Sequence, residues 1–438
     1  MMRTLIIGGG AAGMAAAVAA ARAGQAVTVL ERGRRPLKKL GVTGNGRGNL
    51  LNAGAPDYPG GANFAAQVLA AMPYDRLAAF WEDLGVPLRL EEEGRVYPAS
   101  FLASAAVDAL LLAARRLGVE IIVNARVAAL DRLPGGGFEA RGTVCRYLPD
   151  VSKKSGKTRP GALAEETPVR WRGDRVIVAA GGAAAPAHGT DGSAYGLLTA
   201  FGHELTPIRP ALCALLAAPE PLRALAGLRA RAALRLLDGR DACLAHSCGE
   251  ALFAPDGVSG IAAMQLARWW QPGCSLHMDL REAVLGPRAA QATGPEALAE
   301  TARLLRVRAQ NREGCRLIEL LTGAAPPALN EALLRAAGLE RDAASPLADL
   351  AALLPNVFAA LAQAIVDFRV PITGTRGFDA AQVTAGGVMT DGFDPRTLQS
   401  RLCPGLHAAG EVLDVDGACG GFNLMFATAS GLLAGGAK

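Results

Sequence analysis

Hydrophobic and polar positions near the start of the chain follow the order strand, helix, strand. Residues 4–7 form an apolar run typical of a buried strand, and the alanine-rich residues 11–23 favour a helix. A second apolar run covers residues 26–30, and glycines separate the first strand from the helix. This order predicts the first unit of a parallel sheet of the Rossmann type.

The alternation of helices and short strands continues to about residue 186. The predicted elements are helices over residues 65–84 and 100–117, a strand over 120–124, a hairpin over 126–141 and a buried strand over 175–182. Residues 147–167 are polar and basic, which favours a solvated loop; contact with an anionic partner is the alternative.

The pattern changes between about residues 187 and 369. Short strands are predicted over residues 212–237 and 242–253, and helices over residues 295–321 and 330–337. A strand over residues 406–409 and an apolar helix over residues 423–433 follow near the end. We therefore expect an α/β protein whose C-terminal strand rejoins the N-terminal sheet, so that the first domain is discontinuous around an inserted one.

The glycine-rich turn after the first strand is the first indication of function. Gly8 permits a tight turn, Gly10 lets the backbone approach a pyrophosphate, and Gly13 allows the helix to pack closely on the strand. Glu31 ends the second strand, where a carboxylate can bind an adenosine ribose. These elements together predict a bound dinucleotide, and FAD and NAD share the pattern.

Two further segments favour FAD. Lys39 and Arg47 lie in a glycine-rich stretch after Glu31, and their charges suit pyrophosphate or flavin oxygens. Glu411 follows the last apolar strand, where it can bind a ribityl hydroxyl, and residues 420–423 begin the terminal helix. A helix N-terminus at the flavin would stabilise the negative charge of the reduced ring. Glycine-rich turns with Asn423 as an ordinary cap are the alternative.

Composition narrows the class of protein. A chain of 438 residues with 51% hydrophobic positions predicts two or three domains, and no apolar run is long enough for a membrane span. The eight cysteines include no CxxC pair, and Cys243, His246 and Cys248 lack a fourth ligand, so we expect a cytoplasmic protein without a metal. A net charge of +5 gives little argument for nucleic acid.

Blocks of sequence over nearly the whole chain resemble one family. They are GGGAAG at 8–13, TGNGRGN at 43–49, HGTDG at 188–192, GEALF at 249–253, GVSG at 257–260, TGTRGFD at 373–379, VTAGGV at 383–388, GEVLDVDG at 410–417 and GGFNL at 420–424. In these blocks the chain resembles the YhiN-like (BaiN-like) FAD-dependent oxidoreductases, also called aminoacetone-oxidase-type or NAD(P)/FAD-dependent flavoproteins.

The resemblance implies an FAD domain made from both chain ends, a β-barrel-like domain and a helical insertion. It also implies similarity to ene-reductases of the fumarate reductase type, and one branch of the family reduces conjugated double bonds in bile-acid-like steroids. Two departures from the family pattern concern three positions. Gly48 stands where cysteine is frequent, and Ala254 and Pro255 stand where Thr-His is frequent, so this chain lacks any chemistry that those side chains supply in relatives.

With this resemblance the domain and cofactor predictions become specific. We expect FAD-binding parts over residues 1–186 and 371–438, an inserted β-rich domain over 187–285 and 340–370, and a helical insertion over 286–339. The predicted FAD-binding residues are Gly8, Gly10, Ala11, Ala12, Gly13, Glu31, Arg32, Lys39, Thr43, Gly44, Asn45, Gly46, Arg47, Asn49, Val127, Ala180, Gly181, Gly182, Asp191, Gly410, Glu411, Asp416, Gly420, Gly421, Phe422 and Asn423.

Thr375 and Arg376 are the candidate catalytic residues. They lie in a glycine-rich loop, where Arg376 can clamp a substrate carbonyl or carboxylate; a structural ion pair is the equal alternative. No second strand–glycine–helix unit occurs between Gly182 and Gly410, so NADH or NADPH would dock transiently, or another donor would reduce the FAD.

The predicted activity is hydride transfer from reduced FAD to an activated C=C bond of a small or medium organic substrate. The alternatives are an oxidase that uses O₂ and a flavin-binding redox partner or RNA-associated protein, for which the basic segment is the support. Neither the substrate nor the oligomeric state follows from the sequence.

Overall fold

The computed structural model describes residues 1–148, 162–312, 314–347 and 356–437. The strands are β1 Arg3–Ile7, β2 Ala26–Leu30, β3 Leu51–Asn52, β4 Leu88–Leu90, β5 Arg95–Pro98, β6 Glu120–Ile122, β7 Ala125–Arg132, β8 Phe138–Tyr147, β9 Leu163–Gly173, β10 Arg175–Val178, β11 Arg209–Ala211, β12 Leu215–Ala217, β13 Arg229–Leu237, β14 Cys243–Ala254, β15 Gly257–Ser259, β16 Ser275–Asp279, β17 Phe368–Thr375, β18 Val383–Ala385 and β19 Leu406–Ala408.

The described α-helices are distributed over the same segments. They are α1 Ala11–Arg22, α2 Ala62–Ala71, α3 Tyr74–Asp83, α4 Ala103–Arg116, α5 Tyr195–Thr199, α6 Pro219–Leu225, α7 Ile261–Leu266, α8 Arg281–Leu285, α9 Pro295–Gln310, α10 Pro327–Ala336, α11 Val357–Val366, α12 Gly377–Ala380 and α13 Phe422–Gly435.

The chain divides into two compact units. The nucleotide-binding unit comprises Met1–Pro210 and Gln382–Lys438, and the barrel unit comprises Ala211–Ala381. The contacts therefore divide the chain at 210/211 and 381/382, whereas the sequence suggested 186/187 and 370/371. The strand β17 accounts for the second difference, because it pairs with β12 and β16 inside the barrel unit.

A five-stranded parallel sheet forms the centre of the nucleotide-binding unit. Its order is β19-β10-β1-β2-β6, and β19 pairs with β10 through Ile177 and His407. A strand near residue 407 thus lies in the same sheet as the strand that starts at residue 3. This confirms the predicted α/β class and the discontinuous Rossmann-type domain.

The first and last helices pack directly on one another. A Cβ on Gly431 would lie 2.3 Å from the carbonyl oxygen of Ala12, and a Cβ on Gly435 would lie 2.5 Å from that of Ala16. Glycine at these two positions lets the backbones of α1 and α13 approach more closely than larger side chains permit. The two chain ends are therefore joined by helix packing as well as by the sheet.

The barrel unit contains a closed barrel of six strands in the order β12-β15-β14-β13-β16-β17. Strand β13 shows how its sequence suits this position, because buried and exposed residues alternate along it. Ala230, Ala232 and Leu234 point into the barrel, while Arg229 and Arg231 stand outside. The β-barrel-like part of the prediction is confirmed.

Three predicted elements differ from the structure. The helix expected over residues 65–84 is two helices, α2 and α3, because Pro73 lies between them and cannot continue a helix. The helix expected from residue 295 to 321 ends at Gln310. Strand β9 begins at Leu163, inside the segment expected to be a loop, while residues 149–161 of that segment lie outside the described part.

Candidate nucleotide-binding site

The three glycines at the turn between β1 and α1 have different surroundings. Gly8 has φ +105°, and a Cβ there would lie 2.5 Å from the Ala179 carbonyl oxygen. A Cβ on Gly13 would lie 1.9 Å from the Gly8 carbonyl oxygen, so helix and turn are in direct contact. Gly10 differs, because nothing lies within 4 Å of a Cβ added to it. The turn is thus closed behind Gly8 and open in front of Gly10.

The open side coincides with the positive end of α1. The amide of Met14 donates to the Gly10 carbonyl at 2.9 Å, which makes the amides of Ala11, Ala12 and Gly13 the first-turn donors that precede this helical bond. Donors at a helix N-terminus, together with the helix dipole, attract a phosphate. This geometry suits a pyrophosphate, and its binding by these residues stays a prediction.

Glu31 at the end of β2 is held by backbone amides. Its carboxylate accepts hydrogen bonds from Gly9 N at 2.8 Å and from Gly33 N at 2.6 Å. The side chain therefore ties the glycine turn to the loop after β2. A carboxylate oxygen has capacity for more than one hydrogen bond, so binding a ribose at the same time is compatible with these contacts.

Arg32, the next residue, forms an ion pair with Asp191. Burial alone would raise the pKa of Asp191, but hydrogen bonds from Arg32 and Ser193 outweigh burial and hold that pKa below its usual range. Two predicted cofactor residues from distant parts of the chain are thus brought together. They compensate one another, so the pair contributes little net charge to the site.

The glycine-rich loop at residues 43–49 has an unusual backbone. Gly44, Asn45, Gly46 and Gly48 all have φ between +55° and +82°. Asn45 tolerates this region better than most residues with a side chain. A Cβ on Gly48 would lie 2.9 Å from Cα of Ala103. Gly48 therefore suits its backbone and its close neighbour, and a cysteine at this position would be strained here.

The side chains of Arg47 and Asn49, both in this loop, lie in different environments. The guanidinium carbon of Arg47 lies 5.0 Å from the Tyr97 ring centroid and 4.4 Å from the Phe101 ring centroid. The oxygen of the Asn49 side chain is buried and accepts no hydrogen bond from the described residues. A buried acceptor without a donor is costly, so its presence suits a site that a polar ligand completes. Thr43 instead donates to the Leu40 carbonyl at 2.7 Å.

Lys39 and Glu411 are paired with each other. The Nζ of Lys39 lies 2.7 Å from one carboxylate oxygen of Glu411, and the other oxygen accepts a hydrogen bond from Thr384 N at 3.0 Å. The hydroxyl of Thr384 in turn accepts from the amides of Ala183 and Ala184 at 2.8 and 2.9 Å. The sequence assigned these two charges separately to phosphate and to ribityl contacts. In the structure they neutralise one another beside Thr384 of β18.

The segment around Ala180, Gly181 and Gly182 is closely packed against this network. Gly181 has φ +76°, and a Cβ on Gly182 would lie 2.5 Å from the Thr384 hydroxyl and 2.8 Å from the Glu411 carboxylate. Thr384 was not among the predicted site residues. The VTAGGV block was the signal that pointed to it, although nothing in that block indicated which side chain would make the contacts.

The C-terminal loop and α13 complete the site. Gly420 and Gly421 have φ of +139° and +104°, and α13 begins immediately after them at Phe422. Asn423 makes two hydrogen bonds of 2.8 Å with the backbone of Gly417, so its side chain closes the loop. Asp416, in the same loop, is 2% exposed. The loop that precedes the 14-residue helix α13 is thus stabilised by Asn423, a side chain of the helix itself.

Two predicted residues remain to be placed in this unit. Gly410 has φ +75°, and its amide donates to the Ser430 hydroxyl at 3.0 Å, which joins the loop to α13. Val127 is half-buried on β7, a strand of the sheet β7-β8-β9. Ser430 and Asn52, whose amide donates to the Gly420 carbonyl at 2.8 Å, were not predicted. Both are single polar residues in apolar segments, a weak signal in a sequence.

The predicted catalytic residues belong to the barrel unit. Thr375 is the last residue of β17, and Arg376 forms an ion pair of 2.5 Å with Asp256. Both partners are about half exposed. The contact is the structural ion pair that the sequence left open for Arg376. A substrate-binding role for either residue stays a prediction.

Comparison with known proteins identifies the family. A family model described as HI0933-like protein Rossmann domain matches residues 2–437. The chain belongs to this family. A protein of Clostridium scindens named 3-dehydro-bile acid delta(4,6)-reductase is 36% identical over 445 aligned residues, which cover 99% of this chain and 98% of that protein. The predictions of the YhiN-like flavoprotein family and of an FAD-dependent oxidoreductase are confirmed.

Two other relatives carry a different name. Proteins of Haemophilus influenzae and Escherichia coli, each named ribosomal RNA dihydrouridine synthase, are 25% and 26% identical to this chain. Each alignment covers 97% of this chain, and the alignments cover 96% and 95% of those proteins. Members of the family that match from end to end thus differ in what their names say they act on.

The residues present in this member of the family fit FAD. The space in front of Gly10 admits a pyrophosphate, the orphaned Asn49 oxygen is a ready acceptor, and α13 supplies a second helix N-terminus. Within the described ranges, no group of three or more His, Cys, Asp or Glu side chains is placed to hold a metal ion. No helix in those ranges is long and apolar enough to cross a bilayer.

Proposed function

We propose that this protein reduces a carbon–carbon double bond conjugated with a carbonyl group. The observation that carries the proposal is the name of the relative with 36% identity, a delta(4,6)-reductase, since that similarity extends from end to end. The other relatives support the same bond chemistry, because dihydrouridine is uridine with a saturated C=C bond beside a carbonyl. The shared chemistry is hydride addition to an activated double bond.

When bound, FAD supplies the hydride, from N5 of its reduced ring. The chain's own residues bind and orient it: the first turn of α1 would hold the pyrophosphate, and Glu31 would hold the adenosine ribose. The N-terminus of α13 would stabilise the negative charge of the reduced ring. Lys39 and Glu411, already neutralised by one another, would contribute shape more than charge.

The electron donor is part of the proposal. NADH or NADPH would reduce the flavin in a transient complex, because the sequence contains no second nucleotide-binding unit of the strand–glycine–helix type between Gly182 and Gly410. Arg376 is retained as a candidate for polarising the substrate carbonyl. An Arg376→Ala variant with unchanged kcat and KM would remove that role.

The first experiment is an anaerobic visible spectrum of the purified protein. Loss of the flavin band on addition of NADH or NADPH, followed by its return on addition of a conjugated dienone steroid, would support the proposal. Return of the band only in air, with peroxide formed, would favour an oxidase. Purified protein that contains no flavin and cannot be reconstituted with FAD would overturn the proposal.

Ribosomal RNA is the second candidate substrate, supported by the names of the two relatives with 25% and 26% identity. The basic segment that supports it in the sequence lies mostly outside the described residues. RNA binding that weakens steeply with salt, and that is lost when Lys153, Lys154 and Lys157 are replaced by Gln, would favour this candidate. Dihydrouridine in reacted RNA would establish it.

A further inference from the structure

Arg47 lies on an aromatic surface beside the loop at residues 43–49. Its guanidinium carbon is within 5.0 Å of both the Tyr97 and the Phe101 ring centroids. The two rings are themselves 5.6 Å apart and tilted by 53°. A cation over the face of an aromatic ring is attracted by the ring and is held in place by it. The guanidinium of Arg47 donates no hydrogen bond to any of the described residues, so its N–H groups stay available for a bidentate acceptor.

The charge of Arg47 is not compensated by a neighbouring acid. Arg89 also lies over Phe101, at 5.0 Å, but it forms an ion pair of 2.5 Å with Glu91. Arg95 likewise pairs with Glu93. Among the residues that the structure describes, no carboxylate lies within ion-pair distance of Arg47, and its side chain is exposed. Arg47 is therefore oriented for an anion that the chain itself does not provide.

The backbone on the ring side of the contact is strained. Phe101 has φ +53°, a region that a bulky side chain rarely adopts. Strain of this kind persists only where the surrounding structure enforces it, and it concentrates at ligand-binding sites. Gly46 and Gly48, on either side of Arg47, also have positive φ, which glycine adopts without strain. The fold therefore accepts a cost at Phe101 to place this ring beside the guanidinium.

Apolar side chains continue the surface next to the charge. Leu102, which follows Phe101, is 57% exposed, and Leu90, which follows Arg89, is 62% exposed. The loop beside them contains Thr43, Gly44, Asn45, Gly46 and Asn49, which the sequence assigned to FAD. It contacts the aromatic surface, because a Cβ on Gly44 would lie 3.6 Å from the Tyr97 ring. One anion-binding group and an apolar surface are thus combined at the edge of that site.

We propose that Arg47 binds the carboxylate of the substrate, while Phe101 and Leu102 contact its apolar body. Such a substrate is an amphipathic acid with a carbonyl-conjugated double bond, a description that the bile acid in the name of the 36% identical relative also meets. This inference rests on the proposed function for its reaction, but not for its binding step. It reassigns Arg47, for which the sequence suggested pyrophosphate or flavin oxygens.

The test compares one ligand with and without its negative charge. The affinities of the FAD-loaded protein for a conjugated dienone steroid acid and for its methyl ester are measured by calorimetry, without an electron donor. The variants are Arg47→Ala, Arg47→Lys and, as the control for loss of one exposed positive charge, Arg396→Ala. We expect Arg47→Ala to weaken binding of the acid about 10- to 100-fold and binding of the ester less than about twofold.

Each outcome decides for or against the inference. Partial recovery of acid binding in Arg47→Lys, with Arg396→Ala unchanged, would support it, since lysine restores the charge without the planar fork. Loss of FAD from Arg47→Ala, an equal loss of affinity for acid and ester, or no binding of either ligand to the unaltered protein would overturn it. Binding that depends on Arg47, without reduction of the bound acid, would sustain it and count against the proposed function alone.

Discussion

The nucleotide-binding unit and the barrel unit place their polar groups by different means. In the first, glycines of the β1–α1 turn and of the first turn of α1 bring backbone atoms together, as at Gly8 and Gly13. In the second, arginines alternate with buried residues along β13, and each reaches a carboxylate on another element, as Arg229 reaches Glu250 and Arg231 reaches Glu282. Close approach of backbone atoms specifies the first arrangement, and ion pairs between side chains specify the second.

Asp367 shows the second arrangement most clearly. It is 9% exposed and accepts contacts from His277 at 2.7 Å, from Arg369 at 2.8 Å and from Arg235 at 3.3 Å. His277 is also 2.9 Å from the Ser275 hydroxyl. The partners come from β13, β16 and β17, which are far apart in the sequence and meet because β16 pairs with both β13 and β17.

Gly13→Ala tests whether backbone packing specifies the nucleotide-binding unit, and at neutral pH we expect it to have the largest effect. Gly13→Ala places a methyl group 1.9 Å from the Gly8 carbonyl oxygen, and backbone on both sides leaves little freedom to move. We expect a loss of about 3 kcal/mol in the free energy of unfolding, together with loss of FAD, because turn and helix must separate. Urea unfolding and the flavin content of the purified variant measure the two effects. A stable variant that retains FAD would contradict the backbone-based account.

Gly257→Ala is the matched change in the barrel unit. A Cβ on Gly257 would also lie 1.9 Å from a carbonyl oxygen, that of Leu215 on β12. We expect Gly257→Ala to cost about 2 kcal/mol, by displacing β15 from its neighbour. The folded fraction should keep its full content of FAD, because Gly257 lies outside the nucleotide-binding unit. Loss of flavin in step with Gly13→Ala would show that the two units do not behave independently.

The sequence predicted most of the nucleotide-binding unit and little of the barrel's chemistry. The β1–α1 turn was predictable because Gly8 and Gly13 each answer a steric demand of the turn, while Gly10 leaves open space beside it. The pairing of Lys39 with Glu411 was not, since two opposite charges 372 positions apart are both plausible ligand contacts until the fold brings them to 2.7 Å. The role of Arg376 was ambiguous for the same reason. In the structure Arg376 forms an ion pair with Asp256.

Gly10→Ala should separate the effect on FAD affinity from the effect on stability within the nucleotide-binding unit. Its φ of −78° suits alanine, and nothing lies within 4 Å of the added methyl group, so the free energy of unfolding of the apoprotein should change by less than about 0.5 kcal/mol. The methyl group would occupy the space assigned to the pyrophosphate, so we expect FAD affinity to fall about 10- to 100-fold. Reconstitution of the apoprotein with FAD, followed by fluorescence, measures it. Unchanged affinity would remove the pyrophosphate from this position.

At neutral pH the smallest effect is expected from the groups that determine the acid sensitivity of the two units. Burial, followed by the nearby charge of Arg175, lowers the pKa of His407 in the central sheet from its usual 6.5 to about 3. Below pH 6.5 the unfolded chain therefore binds a proton that the folded chain does not, and the free energy of unfolding falls by about 1.4 kcal/mol per pH unit from this group until about pH 3. His407→Asn should remove that slope, as urea unfolding across this pH range would show.

In the barrel the corresponding group is Asp367. Burial raises its pKa, but the hydrogen bonds from His277 and Arg369 outweigh burial and hold the pKa below the usual 3.8. A carboxyl with a lowered pKa stabilises the folded state above its usual pKa, and that contribution disappears only as the pH falls below about 3.8. Asp367→Asn should therefore leave the slope between about pH 6.5 and pH 4 as it is in the unaltered protein. If Asp367→Asn removes the pH dependence of the free energy of unfolding in this range and His407→Asn does not, that pH dependence arises in the barrel unit.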